Sequence, residues 1–98
     1  MKVMISQPMN GKTNEQIKEE RKNIVFNLVM NGYTVIDTII KENAPKHCDN
    51  AIYYLSKSIE FIGKVDCIYF MKGWENARGC RIEHEVAVAY GKKCIYEN

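Results

Sequence analysis

Glu83 occupies a position where a carboxylate needs a physical reason to be. In the stretch Gly73-Trp74-Glu75-Asn76-Ala77-Arg78-Gly79-Cys80-Arg81-Ile82-Glu83, continuing to Lys92, positions 79, 83, 86, 87 and 90 fall on one helical face. The other four are Gly, Val, Ala and Tyr. Burying an unpaired charge is expensive, so three readings stand side by side. Glu83 is salt-bridged to Arg78 or Arg81; or it is turned outward by a different helical phase, with Ile82, Val86 and Ala89 inward; or it serves as a nucleophile or base. Near a helix N-terminus the dipole keeps a carboxylate ionised, while desolvation raises its pKa. That combination suits a nucleophile for an anomeric carbon.

A second stretch, Ser6-Gln7-Pro8-Met9-Asn10-Gly11-Lys12-Thr13, joins a strand to a helix. Backbone amides at such a place, with Lys12, can hold an anion such as a phosphate, although an ordinary capped connection has the same composition. The spacing is not that of a Walker A loop. Trp74 could stack on a base or sugar, or serve equally as a lid over the core. Glu85 points to the opposite side of its helix and is expected in solvent. His84 does not share Glu83's face, because i and i+1 diverge on a helix, and reads as a surface histidine. His47 has no second ligand at metal spacing, so neither a metal nor another cofactor is expected. Asp66 opens a strand at its amino end, where a structural role is expected.

The elements that must position these groups alternate. Lys2 to Ser6 is a short buried strand. Thr13 or Asn14 caps a helix that runs to about Asn31-Gly32, with Ile17, Ile24, Val25 and Leu28 inward. Tyr33 to Thr38 is a second strand, and Lys41 to Asp49 a polar loop containing Pro45. Asp49 or Asn50 starts a second helix, whose Ile52, Leu55, Ile59 and Ile62 are spaced to face the core. Val65 to Met71 is a nearly continuous apolar strand of the kind found in the centre of parallel sheets. A loop over Lys72 to Asn76, a third helix over about Ala77 to Tyr90 and a strand over Lys93 to Tyr96 complete the pattern.

This βαβαβαβ order predicts a three-layer α/β domain of Rossmann or flavodoxin-like type over residues 1–98, a four-stranded parallel sheet ordered 2-1-3-4 with helices on both faces. Ligands of such sheets bind beyond the carboxyl ends of the strands, where strand order reverses. Here that point is flanked by the loops Gln7–Thr13 and Lys72–Asn76.

Composition narrows the class. Ninety-eight residues suffice for one core. A formal charge of +2, with basic and acidic residues interspersed as in Lys18-Glu19-Glu20-Arg21-Lys22, a run that reads as a solvated helix face, gives no sign of a nucleic-acid partner. No apolar run approaches a membrane span, and no signal-peptide pattern is present, so a cytoplasmic location is the default expectation. Cys48, Cys67, Cys80 and Cys94 have no regular spacing. Cys67 and Cys94 lie in apolar strand-like runs, and reduced thiols are expected.

The motifs S-x-P-M-x-G after the first strand, and G-W-x-x-x-x-G-x-x-x-E followed by A-x-A-x-G-K, resemble the nucleoside 2-deoxyribosyltransferase superfamily. The resemblance extends over nearly the whole chain. It is closest to a small, often phage-borne branch whose members carry an unassigned-function domain label. Glu83 takes the place of the transferases' nucleophile, eight residues before the Gly91-Lys92 pair, with Ala87 on the same side. The resemblance implies attack by Glu83 on the sugar C1′, release of the base, and a glycosyl-enzyme ester resolved by water or a second base. It also implies a pocket built from the first loop (Ser6, Gln7, Pro8, Met9, Gly11, Lys12) and from Gly73, Trp74, Asn76 and Gly79, taking a nucleoside or nucleotide.

Ala77 stands where the transferases often carry a sugar- or phosphate-binding serine. A non-catalytic nucleotide-binding, sequestering or sensing protein is therefore the alternative. A four-stranded open sheet has exposed edges, and a homo-oligomer is expected.

Overall fold

Four short parallel strands order the molecule, and their alternating side chains decide which helix each one meets. The computed structural model describes residues 1–98 except Ile39 and Lys41; the start of the expected polar loop, Lys41, therefore lies outside the described residues. The elements are β1 (Lys2–Ser6), α1 (Asn14–Met30), β2 (Thr34–Val35), α2 (Asn50–Ile62), β3 (Cys67–Phe70), α3 (Arg78–Ala89) and β4 (Lys93–Tyr96), with one 3-10 turn at Trp74–Asn76. The sheet is parallel throughout, ordered β2-β1-β3-β4.

Val3 and Ile5 of β1, with Cys67 of β3 and Met71 just beyond it, pack against Ile24 and Leu28 of α1. Met4, Ile68 and Phe70 point the other way, against Ile62 of α2 and Ala87 of α3. The period of two along each strand thus builds the core on both faces of the sheet. Among the described residues, no helix is long and apolar enough to cross a membrane.

Local chemistry sets the helix ends. Thr13 caps α1 through a capping box with Gln16, and Asp49 caps α2 by accepting from the Ile52 amide at 3.1 Å. α3 closes on Gly91, whose φ of +71° is available to glycine at little cost. The Lys92 amide then reaches back to the Ala87 carbonyl at 2.9 Å, the closure of a Schellman motif.

The amino end of the sheet is a structural seam. Asp66 accepts from the Lys2 amide at 2.8 Å, and the Lys92 ammonium donates to the Val65 carbonyl at 2.9 Å. The Gly-Lys pair of the C-terminal motif therefore lies at the end of the sheet away from Glu83.

Three expectations need correction. β2 pairs only over Thr34–Val35 rather than Tyr33–Thr38. It is an edge strand with one neighbour, and beyond it, among the described residues, the Ile36 amide still donates to the Val3 carbonyl. On α2, Ile62 is buried and Leu55 half-buried, but Ile52 is 64% exposed and Ile59 37% exposed. The inward stripe instead runs through Leu55, Ser58 and Ile62. On α1, Arg21 is buried among the apolar positions at 8% exposure. Its guanidinium donates to Thr38 Oγ1 at 3.1 Å and Gln7 Oε1 at 3.4 Å. Burial lowers its pKa, an effect opposed by the nearby Asp37 charge. Ile62→Ala removes a core side chain of the α2–α3 face and is expected to cost about 2–5 kcal/mol by chemical denaturation.

Candidate active site

At the carboxyl end of β1, consecutive residues part company. Gln7 continues the face of Val3 and Ile5, and its amide donates to the Ile17 carbonyl of α1 at 2.8 Å. Ser6 continues the face of Met4, and its hydroxyl donates to Glu83 Oε1 of α3 at 2.7 Å. Both partners are buried, Ser6 at 1% and Glu83 at 8% exposure. The contact joins residues at opposite ends of the chain. It lies at the carboxyl edge of the central pair β1–β3, where Ser6 is in register with Phe70.

Of the three readings of Glu83, two fall away. The residue is buried with Ala87, as the first helical phase expects, although Tyr90 of that same phase is 78% exposed where the helix ends; Ala89, inward in the other phase, is exposed. Arg78 and Arg81 are exposed as well. Among the described residues, the ion pairs are Lys12–Glu20, Lys57–Glu42 and Lys57–Glu60, and none reaches Glu83. The carboxylate is held by the Ser6 hydroxyl. Burial raises its pKa above the ordinary glutamate value, and hydrogen bonds from Ser6 and Ser58 moderate the rise.

Ser58 on α2 and Cys80 on α3 were not singled out among the candidate site residues. Ser58 had a signal: it stands between Leu55 and Ile62 on the inner stripe of an amphipathic helix, the same anomaly that exposes Glu83. Cys80 is buried on the same face of α3 as Glu83. Burial pushes its thiol pKa up, with Glu83 adding to the rise, while a hydrogen bond with Ser6 and the Lys12 charge oppose it.

The two loops meet over this cluster. Gly73 holds φ +92°, and a Cβ built there would lie 3.8 Å from Pro8 Cγ, so the segments that carry Pro8 and Trp74 abut. Gln7 is buried, Pro8 and Lys12 half-buried, and Met9, Gly11 and Asn76 exposed. Lys12 is not a free cation, because its ammonium pairs with Glu20 at 3.0 Å. Gly79 has nothing within 4 Å of where a Cβ would stand, which leaves the first turn of α3 bare. That turn also lacks a side-chain cap: Ala77 takes the cap position in extended conformation and supplies no hydrogen bond. The first amides of α3 therefore remain available to an anion.

Trp74 takes the lid position. Its ring lies 4.2 Å from His84 and 5.3 Å from Phe70, packed against the α2–α3 face of the core. His84 is accordingly no free surface histidine: it is half-buried, with Nε2 2.7 Å from the Tyr96 hydroxyl. Among the described residues, no three His, Cys, Asp or Glu side chains gather as a metal would require, and all four cysteines are free thiols. Two surface grooves lie elsewhere and are not lined by Glu83. One, of about 310 Å³, is lined by Lys12, Gln16, Glu19, Glu20 and Asn23; the other, of about 480 Å³, runs between α1 and the outer half of the sheet.

Burial makes the folded chain hold the Glu83 proton more tightly than the unfolded chain does. The stability that follows is fully present below the ordinary glutamate pKa of about 4.3 and is lost as pH rises through the raised folded-state value. Glu83→Gln keeps an acceptor for Ser6 without a charge. Its melting temperature is expected to match the wild type near pH 4 and to exceed it at neutral pH, by roughly 5 °C if about 1 kcal/mol is recovered. Ala77→Ser supplies the missing cap and is expected to add about 1 kcal/mol, read by chemical denaturation.

No curated protein matches the chain. Residues 1–96, nearly its whole length, match one family model, and the chain belongs to that family, described as a domain of unknown function, DUF4406.

Proposed function

We propose that the protein is an N-glycosidic enzyme acting on nucleosides or nucleotides, a 2-deoxyribosyltransferase or N-glycosidase, with Glu83 as nucleophile. The observation that carries this reading is the buried carboxylate bonded by Ser6 and met by no basic side chain among the described residues. A structural glutamate gains from a cation, whereas a nucleophile needs its oxygens oriented and not neutralised. The resemblance of the G-W-x-x-x-x-G-x-x-x-E motif to the transferases supports the same assignment.

In the proposed reaction a Glu83 carboxylate oxygen forms a bond to the sugar C1′ as the bond from C1′ to the base nitrogen breaks. The bonding pair leaves with the base, which takes a proton from solvent. Water or a second base then attacks C1′ from the opposite side, displaces the carboxylate and releases the sugar product. Ser6 fixes Oε1 throughout. The uncapped amides of α3 and the loop from Ser6 to Lys12 would hold the sugar or a 5′-phosphate, with Gly73, Asn76 and Gly79 closing over it. No metal or cofactor takes part in these steps. The same reading places the protein in the cytoplasm, where the four thiols stay reduced, and as a self-associating chain whose sheet has β2 and β4 as open edges.

One observation favours the alternative of a non-catalytic nucleotide-binding protein. Ala77 stands at the start of α3 with no side-chain hydrogen bond, in the place where the transferases that the chain resembles often carry a sugar- or phosphate-binding serine.

The two readings separate in one experiment, in which free base is followed by chromatography over a panel of deoxynucleosides, deoxynucleotides and NAD-like compounds. The enzyme reading expects release by the wild type and none by Glu83→Gln. Equal release by both proteins, or ligand-dependent thermal stabilisation without release, contradicts it. Ser6→Ala loses a hydrogen bond to a charged group, for which a fall in rate of about 10–100-fold is expected. Because that bond favours the ionised form, its loss moves the acid limb of the pH–rate profile further upward.

A further inference from the structure

Arg21 is the anomaly of α1. Positions 17, 21, 24 and 28 form the inward stripe of the helix, and Ile17, Ile24 and Leu28 are apolar there. Arg21 is buried beside them at 8% exposure. Withdrawing a guanidinium from water is costly, and the reaction proposed for Glu83 does not use it. Its reach accounts for the placement. Nη1 donates to Gln7 Oε1 at 3.4 Å, just beyond β1, and Nη2 to Thr38 Oγ1 at 3.1 Å, beyond β2.

The exit of β1 needs a hold at this point. Its pairing with β2 stops early, where Val3 meets Val35 and the Ile36 amide donates to the Val3 carbonyl. β3 continues the ladder on the other side, with the Met71 amide donating to the Ser6 carbonyl at 3.0 Å. On the β2 side, Arg21 bridges the two segments that the ladder no longer joins. The Gln7 amide is gripped at both ends: Nε2 donates to the Ile17 carbonyl at 2.8 Å, and Oε1 accepts from Arg21. Ile17 and Arg21 stand one turn apart on one face of α1. This two-point grip fixes the facing of the amide, and with it the peptide that joins Gln7 to Ser6. Neighbours on a strand point to opposite faces, so holding Gln7 toward α1 holds Ser6 toward α3, where its hydroxyl donates to Glu83 at 2.7 Å.

We propose that Arg21 is a positioning residue for the Ser6–Glu83 contact: through Gln7 it secures the exit of β1, so that the Ser6 hydroxyl stays aimed at the carboxylate. A guanidinium suits the task, because its planar fork presents donors in two directions at once. The assignment rests on the contact itself and not on the reaction proposed for Glu83.

Carboxyl-carbon NMR titration of Glu83 tests the proposal in the wild type, Arg21→Met, Ser6→Ala and the double variant, with circular dichroism to confirm folding. Methionine continues the apolar stripe beside Ile24 and Leu28, so Arg21→Met is expected to fold. Its Glu83 titration is expected to move upward, toward but not beyond that of Ser6→Ala, because a donor that favours the ionised form is misaimed. In the double variant Arg21→Met is expected to add nothing to Ser6→Ala, the signature of a residue that acts through Ser6. A direct effect of the lost charge on Glu83 would add in both backgrounds instead. An unmoved titration in Arg21→Met, or a displacement that persists in the Ser6→Ala background, would overturn the assignment. Thr38→Val removes one anchor of the guanidinium and no charge, and is expected to move Glu83 the same way by less. Should Arg21→Met not fold, Thr38→Val decides by the same two criteria.

Discussion

The hydrogen bond from Ser6 to Glu83 is the constraint around which the carboxyl end of this sheet is organised. It ties the last residue of β1 to the second turn of α3 across nearly the full length of the chain. It can form only because strand alternation sends Ser6 to the α3 face and Gln7 to the α1 face. A carboxylate withdrawn from water without a cation is costly, and hydroxyl donors offset only part of that cost, which is why the Glu83 pKa stays raised. Stability is thereby sacrificed at one point of a small domain, the pattern expected where a group is kept for chemistry.

The two ends of the sheet carry different duties. At the amino end, Asp66 and Lys92 satisfy backbone groups and close the strands on themselves. At the carboxyl end, polar side chains collect: Ser6 and Glu83 on one face, Gln7, Arg21 and Thr38 on the other. The aromatic group of Phe70, Trp74, His84 and Tyr96 roofs the adjacent core. That roof fixes the start of α3, and with it the uncapped turn that leads to Glu83.

Much of this was legible from residue order. The alternation of apolar runs with amphipathic segments predicted the sheet and its strand order, and a carboxylate on an apolar stripe singled out Glu83. Other parts were not. Periodicity reports that a helix has an apolar side, not what covers it, so Ile52 and Ile59 were expected in the core but lie at the surface. Ser58 went unnoticed because a hydroxyl inside a helix is chemically bland until its partner is known. His84 was expected in solvent because its neighbours in sequence say nothing of Trp74 and Tyr96, which reach it through tertiary packing. β2 was expected longer because local β propensity continues past the point where the edge strand stops pairing.

Glu83 sits desolvated and without a cation among the described residues, its ionisation set by burial against hydroxyl donors. Carboxyl-carbon NMR titration of the protein with labelled glutamate measures this directly. One resonance titrating above the ordinary glutamate range, absent in Glu83→Gln and displaced further upward in Ser6→Ala, is the predicted result. A Glu83 resonance titrating at or below the ordinary value would mean that the carboxylate is solvated or cation-paired, and would contradict the account.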